Sequence, residues 1–303
     1  MKIYLSREKK FAEKGQALLI VLITMAIALT VVLSILSRSI LDVGVSEGEK
    51  EALRAFSAAE AGLEKALIVG SSIGTTDLGT SQFSAEVSDF ASGLSEFVYP
   101  IELLSGEMAT FWFVNHDDEG EMTCSAEKPC FTGSGMKLCW GDQDTPTGSE
   151  GTPALEVSVF YLSTPGDYST AQVARAVYDP SSSRSISNNF SVANTDGCFM
   201  DPDTLQFYAS IDFSDLGIPA SSYSRQDGLQ FARARMLYNS EETHPVGINV
   251  DRPAADLLPP QGLMVDSSGS AGESNRRIEV FRGFSEPPPV FESVIFSGGS
   301  IIK

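Results

Sequence analysis

The sequence predicts an α+β protein: one long N-terminal helix, membrane-spanning in its first half and an amphipathic stalk in its second, followed by a β-rich head. Three observations predict it. Residues 15–37 carry no charge, residues 41–67 repeat their apolar positions at near-helical spacing, and beyond Gly70 short apolar runs alternate with Gly, Pro, Ser, Asn and Asp. The corresponding segments are 1–15, a basic leader; 16–69, the helix; 70–285, the head; and 286–303, a proline-rich spacer with an apolar end.

The leader holds Lys2, Arg7, Lys9, Lys10 and Lys14 against Glu8 and Glu13, a charge balance that keeps this end in the cytoplasm. Residues 17–36 are interrupted only by Thr24, Thr30 and Ser34, whose hydroxyls can bond a carbonyl one turn back. Twenty such residues at helical rise cover a hydrocarbon core of about 30 Å. A cleaved secretory signal has a shorter apolar region and a small-residue cleavage site, which this run does not match. In the stalk, Val45, Leu53, Phe56, Leu63 and Leu67 recur with charged residues between them, among them Glu49, Lys50, Glu51, Arg54, Glu64 and Lys65. Gly44 and Gly48 at the junction are expected to bend or locally melt the helix.

In the head, strands are expected at 83–87, 97–101, 109–114, 137–140, 155–162, 172–178, 205–213, 229–238, 263–267 and 277–281. Alternation in the eighth places Arg233 and Arg235 on one face, read as a solvated sheet face. Residues 265–272, rich in Ser and Gly, read with the following strand as a hairpin with a small-residue turn. Pro287, Pro288 and Pro289 form a stiff extended spacer before the apolar residues 290–296, read either as a last edge strand of the head, which is preferred, or as an adhesive strand that pairs with a neighbour's open sheet edge.

The 303 residues carry a formal charge of −19 and only two histidines, His116 and His244. Such a surface repels phosphate backbones, so no nucleic acid is expected as a direct partner. Histidine-based acid–base chemistry has little material. Gly70-Ser71-Ser72-Ile73-Gly74 fits the letters of a nucleophile elbow but follows a helix, where that motif opens one, and it reads as the exit from the stalk. There is no P-loop or dinucleotide fingerprint. The expectation is a non-enzyme without a cofactor.

Four cysteines, Cys124, Cys130, Cys139 and Cys198, lie in the exported part; their even number favours disulfides over a zinc site, which lacks close CxxC pairs and nearby histidines. Of the three pairings, Cys124 with Cys130 and Cys139 with Cys198 is preferred, the first closing a small loop around Pro129. Asn115, Asp117 and Glu119, with Gly120 sixth, match the start of a calcium loop, yet Ala126 stands where the bidentate glutamate belongs. An acidic turn after a strand is the preferred reading.

Two motifs carry a family resemblance. Lys14-Gly15 before Gln16-Ala17-Leu18-Leu19-Ile20-Val21-Leu22 resembles the class III leader of type IV prepilins. Arg54-Ala55-Phe56-Ser57-Ala58-Ala59-Glu60-Ala61-Gly62 is similar to the AFxAAEAG segment of PilX-type minor pilins and K-type pseudopilins. The resemblance covers about the first 55 residues well, with a weaker likeness in the closing strands. It implies cleavage by a prepilin peptidase after Gly15, a mature chain starting at Gln16, and extraction from the inner or cytoplasmic membrane into an extracellular filament of pilin subunits. Ile20, Leu22, Leu29 and Leu36 would then pack helix to helix, and Phe56 with Ala59 would anchor the head to the stalk. The chain departs from major pilins at Gln16, where they carry an aromatic, and at Ile20, where they carry glutamate. Those departures imply a minor, initiating or tip-located subunit. Loss of the leader takes the formal charge from −19 to −22. The alternative from another class is a membrane-anchored binding protein or adhesin that never polymerises.

Overall fold

The computed structural model describes residues 16–117, 119–148, 151–250 and 257–288. Among these residues helix α1 (Gln16–Val69) comes first. Seventeen strands follow: β1 (Ile73–Leu78), β2 (Ser81–Asp89), β3 (Glu96–Val98), β4 (Met108–Trp112), β5 (Asn115–His116), β6 (Met122–Thr123), β7 (Gly135–Trp140), β8 (Ala154–Leu162), β9 (Ala171–Asp179), β10 (Ser191–Val192), β11 (Cys198–Met200), β12 (Asp203–Leu205), β13 (Phe207–Asp212), β14 (Leu229–Leu237), β15 (Val246–Asn249), β16 (Gly262–Ala271) and β17 (Ser274–Gly283). Two short helices, α2 (Ser182–Asn188) and α3 (Ala220–Tyr223), interrupt them. The α+β class and the order of helix before sheets are those the sequence predicts.

The chain forms two compact units. The first takes the chain up to Glu86 together with residues 266–278. In it α1 runs without interruption through Gly44 and Gly48, so the expected melting at the junction does not occur; neither glycine has a neighbour within 4 Å to disturb it. Helix hydrogen bonding offsets the glycine penalty of up to about 1 kcal/mol each. The helix ends at Val69, and Gly70 after it takes a left-handed φ of +71°, its N–H donating to Ala66 O at 2.8 Å. A residue with a Cβ is strained there, which is why a glycine closes the helix.

The sheet of this unit has the order β1-β2-β16-β17. Phe83 and Ala85 of β2, and Ser267 and Ala271 of β16, are buried, while Gln82, Glu86 and Ser268 are exposed, the period of two of a half-covered sheet. The covering element is α1, which buries Ala55, Ala58, Ala59, Gly62 and Ala66, a set at helical spacing. Gly269 lies so close to the helix that an added Cβ would stand 2.0 Å from Ala55 O and 2.4 Å from Ala59 N. Ser267 Oγ donates to Ala59 O at 2.6 Å. Residues 267–271 therefore lie in strand β16, and the hairpin turn falls at the end of the expected small-residue run, on Gly272 and Glu273. Small side chains in this strand are what let a helix backbone approach it.

The second unit takes residues 87–265 and the chain from Glu279. A five-stranded sheet, β10-β9-β8-β14-β4, and a four-stranded sheet, β13-β7-β15-β3, share one core. Phe111, Leu155, Val157, Val159, Ala232 and Met236 line it from the first sheet, and Leu138, Trp140, Phe207, Ile211 and Ile248 from the second, all at 3% exposure or less. All ten expected strands are present with shifted ends, except that the seventh expected run is divided between β12 and β13. Strands β1, β11 and β15 and the two-residue strands β5, β6 and β10 lie outside the expected runs, because they are too short or too mixed to show alternation. Residues 290–296 lie outside the described residues.

Candidate functional site

The first candidate site is the proximal half of α1. Within 16–69 the structure has a helix long and apolar enough to cross a membrane, and its most apolar window buries nothing inside the protein. Ile20, Leu22, Leu29 and Leu36 are between 55% and 60% exposed. Thr24 and Thr30 return their hydroxyls to Val21 O and Ile27 O at 3.0 and 2.8 Å, so neither presents a free donor to an apolar surrounding. Gln16 is the first residue of α1, and Gly15 lies outside the described residues. Farther along, Ala59 is fully buried, whereas Phe56 is 43% exposed. The expected pairing of Phe56 with Ala59 as head anchor is therefore corrected: the anchoring face is Ala55, Ala58, Ala59, Gly62 and Ala66, and Phe56 points off it. The spacing of three between Phe56 and Ala59 suggested one face, but the close approach at Gly269 admits only residues no larger than alanine.

The second candidate site is the acidic segment after β4. It forms the tip of the β5–β6 hairpin, in which Asn115 pairs with Thr123 and His116 with Met122. Asp117 Oδ1 accepts from the backbone N–H of Glu119 and Glu121 at 3.1 and 2.8 Å. Asn115 is buried, its amide donating to Pro129 O at 3.4 Å and its oxygen accepting from His116 N at 2.9 Å. Asn115 Oδ1 and Asp117 Oδ1 thus serve hydrogen bonds within the turn itself. Asp118 lies outside the described residues.

Cys124 is bonded to Cys130 and Cys139 to Cys198, with Cα separations of 5.4 and 6.0 Å. Among the described residues the one group of possible metal ligands is Cys124, Cys130 and Asp227, whose ligand atoms lie within 4.8 Å of one another. Its two sulfurs are bonded to each other, so it offers no thiolate. Ser72 lies between the Gly70 cap and β1, so helix precedes strand, the reverse of a nucleophile elbow.

The third site was not visible in the sequence. On the outer face of the five-stranded sheet, Phe160 stacks on Phe231 at 4.4 Å between centroids, and Trp112 meets Phe231 at 5.0 Å. Arg233, expected on a solvated face, is only 2% exposed. Its guanidinium lies 5.4 Å over the Phe231 ring and 3.3 Å from the carboxylate of Glu286. It also donates to Pro287 O, and Thr110 donates its hydroxyl to Glu286. Phe284 stacks on His116 at 3.8 Å with the rings 15° apart, and Trp112 meets His116 edge-on at 4.6 Å. The chain after β17, Phe284 to Pro287, is thus a strap bound across the sheet, and the start of the expected proline-rich spacer is anchored to the head.

Burial lowers the pKa of His116 to about 4, against a smaller opposing pull from Asp117. Its Nδ1 is buried without a hydrogen-bond partner. Gln261, 2% exposed, closes the edge of β4: its amide accepts from Trp112 N at 2.7 Å and donates to Trp112 O at 2.9 Å, standing in for a further strand. Elsewhere, burial pushes the Asp179 carboxyl up, but bonds from Arg184, Ser181 and Asn188 outweigh it and hold the group below its usual range. His244 Nδ1 lies 2.7 Å from Asp142 Oδ2.

Compared with known proteins, the chain matches no family model, no curated protein and no solved structure. The pilin resemblance therefore rests on the residues at 14–22 and 54–62 and on the weaker likeness of the closing strands.

Proposed function

We infer that this chain is a minor pilin or pseudopilin subunit of a type IV pilus-like filament, acting in assembly, initiation or tip display. Its work is helix packing, not catalysis. The observation that carries the reading is the uncharged opening of α1, residues 16–37, whose apolar side chains are exposed. An apolar helix exposed on every side needs lipid or other helices around it, and a surface suited to one is suited to the other. The Lys14-Gly15 junction supplies the route from the first to the second. In this reading the N-terminus starts inside the cell, a prepilin peptidase removes residues 1–15, and other pilin subunits replace the lipid. The buried face of α1 adds support, because four of its residues, Ala55, Ala58, Ala59 and Gly62, fall within the segment similar to AFxAAEAG and give that segment a physical task.

The test is the N-terminal mass of the protein recovered from membranes, with and without co-expressed prepilin peptidase. The expected result is a chain beginning at Gln16 only when the peptidase is present, and no cleavage in Gly15→Ala. An intact Met1 under both conditions overturns the reading in favour of an anchored, non-polymerising binding protein.

A further inference from the structure

We propose that the groove on the outer face of the five-stranded sheet binds an acidic, proline-containing peptide, and that it accepts residues 284–288 of a second copy of this chain in exchange for its own. The ligand chemistry is read from the segment already seated there. An aromatic ring occupies the place beside His116 and Trp112, a carboxylate meets Arg233 and Thr110, and the carbonyl of the next residue accepts from Arg233. Proline at 287 and 288 has no N–H to leave unsatisfied and holds the backbone extended before binding, the features that aromatic grooves use to recognise proline-rich segments.

Three further observations make exchange between copies the natural use of this groove. First, β17 ends at Gly283, where the nearest atoms to an added Cβ are 3.8 Å away, so the joint before Phe284 is uncrowded. Second, among the described residues the strap is held by side chains and by the Pro287 carbonyl, with no backbone ladder to unzip. Third, the buried guanidinium of Arg233 lies against Glu286, so an empty groove would leave that charge without this carboxylate. Every bond lost when a strap leaves is restored when an identical one arrives, which makes swapping an element between copies a low-cost route to a dimer.

The test uses the full chain in detergent micelles with two different affinity tags. R233E reverses the groove and E286R reverses the strap, so each variant alone meets like charge in its own contact. Mixed together, each groove finds its complement only on the other chain. The expected result is at least ten-fold more co-capture from the mixture than from either variant alone, with two differently tagged copies of the wild-type chain, and of the double variant R233E/E286R, co-captured as the mixture is. Co-capture no greater than the single variants overturns the second-copy occupant. Should a single variant fail to fold, a fluorescent peptide of residues 282–290 is titrated onto the wild-type chain. Saturable binding, lost when the peptide carries E286Q, supports the groove; no binding, or binding indifferent to that change, overturns it.

Discussion

Two contact regions, one in each compact unit, hold their parts together by opposite means. In the first unit, α1 lies on β16 through alanine, glycine and serine, with backbone approaching backbone at Gly269. In the second, the strap crosses its sheet through large aromatic rings, a buried arginine and a buried histidine. Close packing of small groups leaves no room for error in volume, whereas a charged and aromatic contact tolerates volume changes but depends on protonation and pairing. Each region should therefore fail under a different insult.

The largest effect is expected from Gly269→Leu. The new Cβ would meet backbone atoms of Ala55 and Ala59 that cannot rotate away. The cost should be on the order of 4 kcal/mol, above ordinary overpacking, because helix and hairpin must separate. Hydrogen exchange should show β16 and the second half of α1 losing protection together. Retained protection in both would mean that the close approach is not structural.

Acid should discriminate in the other direction. His116 is neutral in the fold with its pKa lowered to about 4, while an unfolded histidine titrates near 6.5. Its contribution is full above about pH 6.5 and is lost as the pH falls through about 4, amounting to about 3 kcal/mol. Asp179, also depressed, contributes above the usual carboxylate range and is lost only at lower pH still. Denaturant titrations of wild type and His116→Phe between pH 7.5 and 4 should thus diverge first between pH 6.5 and 4. Parallel curves over that window would remove His116 from the strap's acid response.

These two regions also differ in how far the sequence reveals them. Ala55, Ala58, Ala59 and Gly62 fall within one short segment, and helical spacing alone gathers them on a face. Phe56 nevertheless draws the eye first, because a large apolar residue is the usual sign of burial and small residues announce close approach only when the partner is known. The strap joins residues near 110, 233 and 286, and nothing in local periodicity links them. Arg233 looks like any outward-facing arginine on an alternating strand, and only the folded chain brings Glu286 to it. A usable signal existed in the tail: a carboxylate directly before the prolines and an aromatic two residues earlier are unusual for a passive spacer.

Breaking the strap from its two sides should give unequal results. Glu286→Ala removes the carboxylate from a guanidinium that stays buried, and should cost about 2 kcal/mol, below the usual penalty because Glu286 itself is 40% exposed. Arg233→Met removes the buried charge and keeps an apolar side chain against Phe160 and Phe231, so it should cost less. Thermal unfolding of the two variants at pH 7.5 measures this. Equal losses would mean that burial of the charge adds no penalty.

The finest test sets one substitution against itself. Gly44→Ala and Gly62→Ala make the same change in the same helix. At Gly44 nothing lies within 4 Å, so alanine should stabilise by up to about 1 kcal/mol through helix propensity. At Gly62 the new methyl would stand 2.4 Å from Ser267 Oγ and 2.9 Å from the Phe83 ring. Ser267 must then turn away and give up its bond to Ala59 O, so the same propensity gain is outweighed and the net effect should be a loss of about 1 kcal/mol. Opposite shifts in melting temperature are the expected outcome. Stabilisation at both positions would mean that the contact between α1 and β16 is loose enough to admit a methyl group, and the prediction for Gly269→Leu would have to shrink with it.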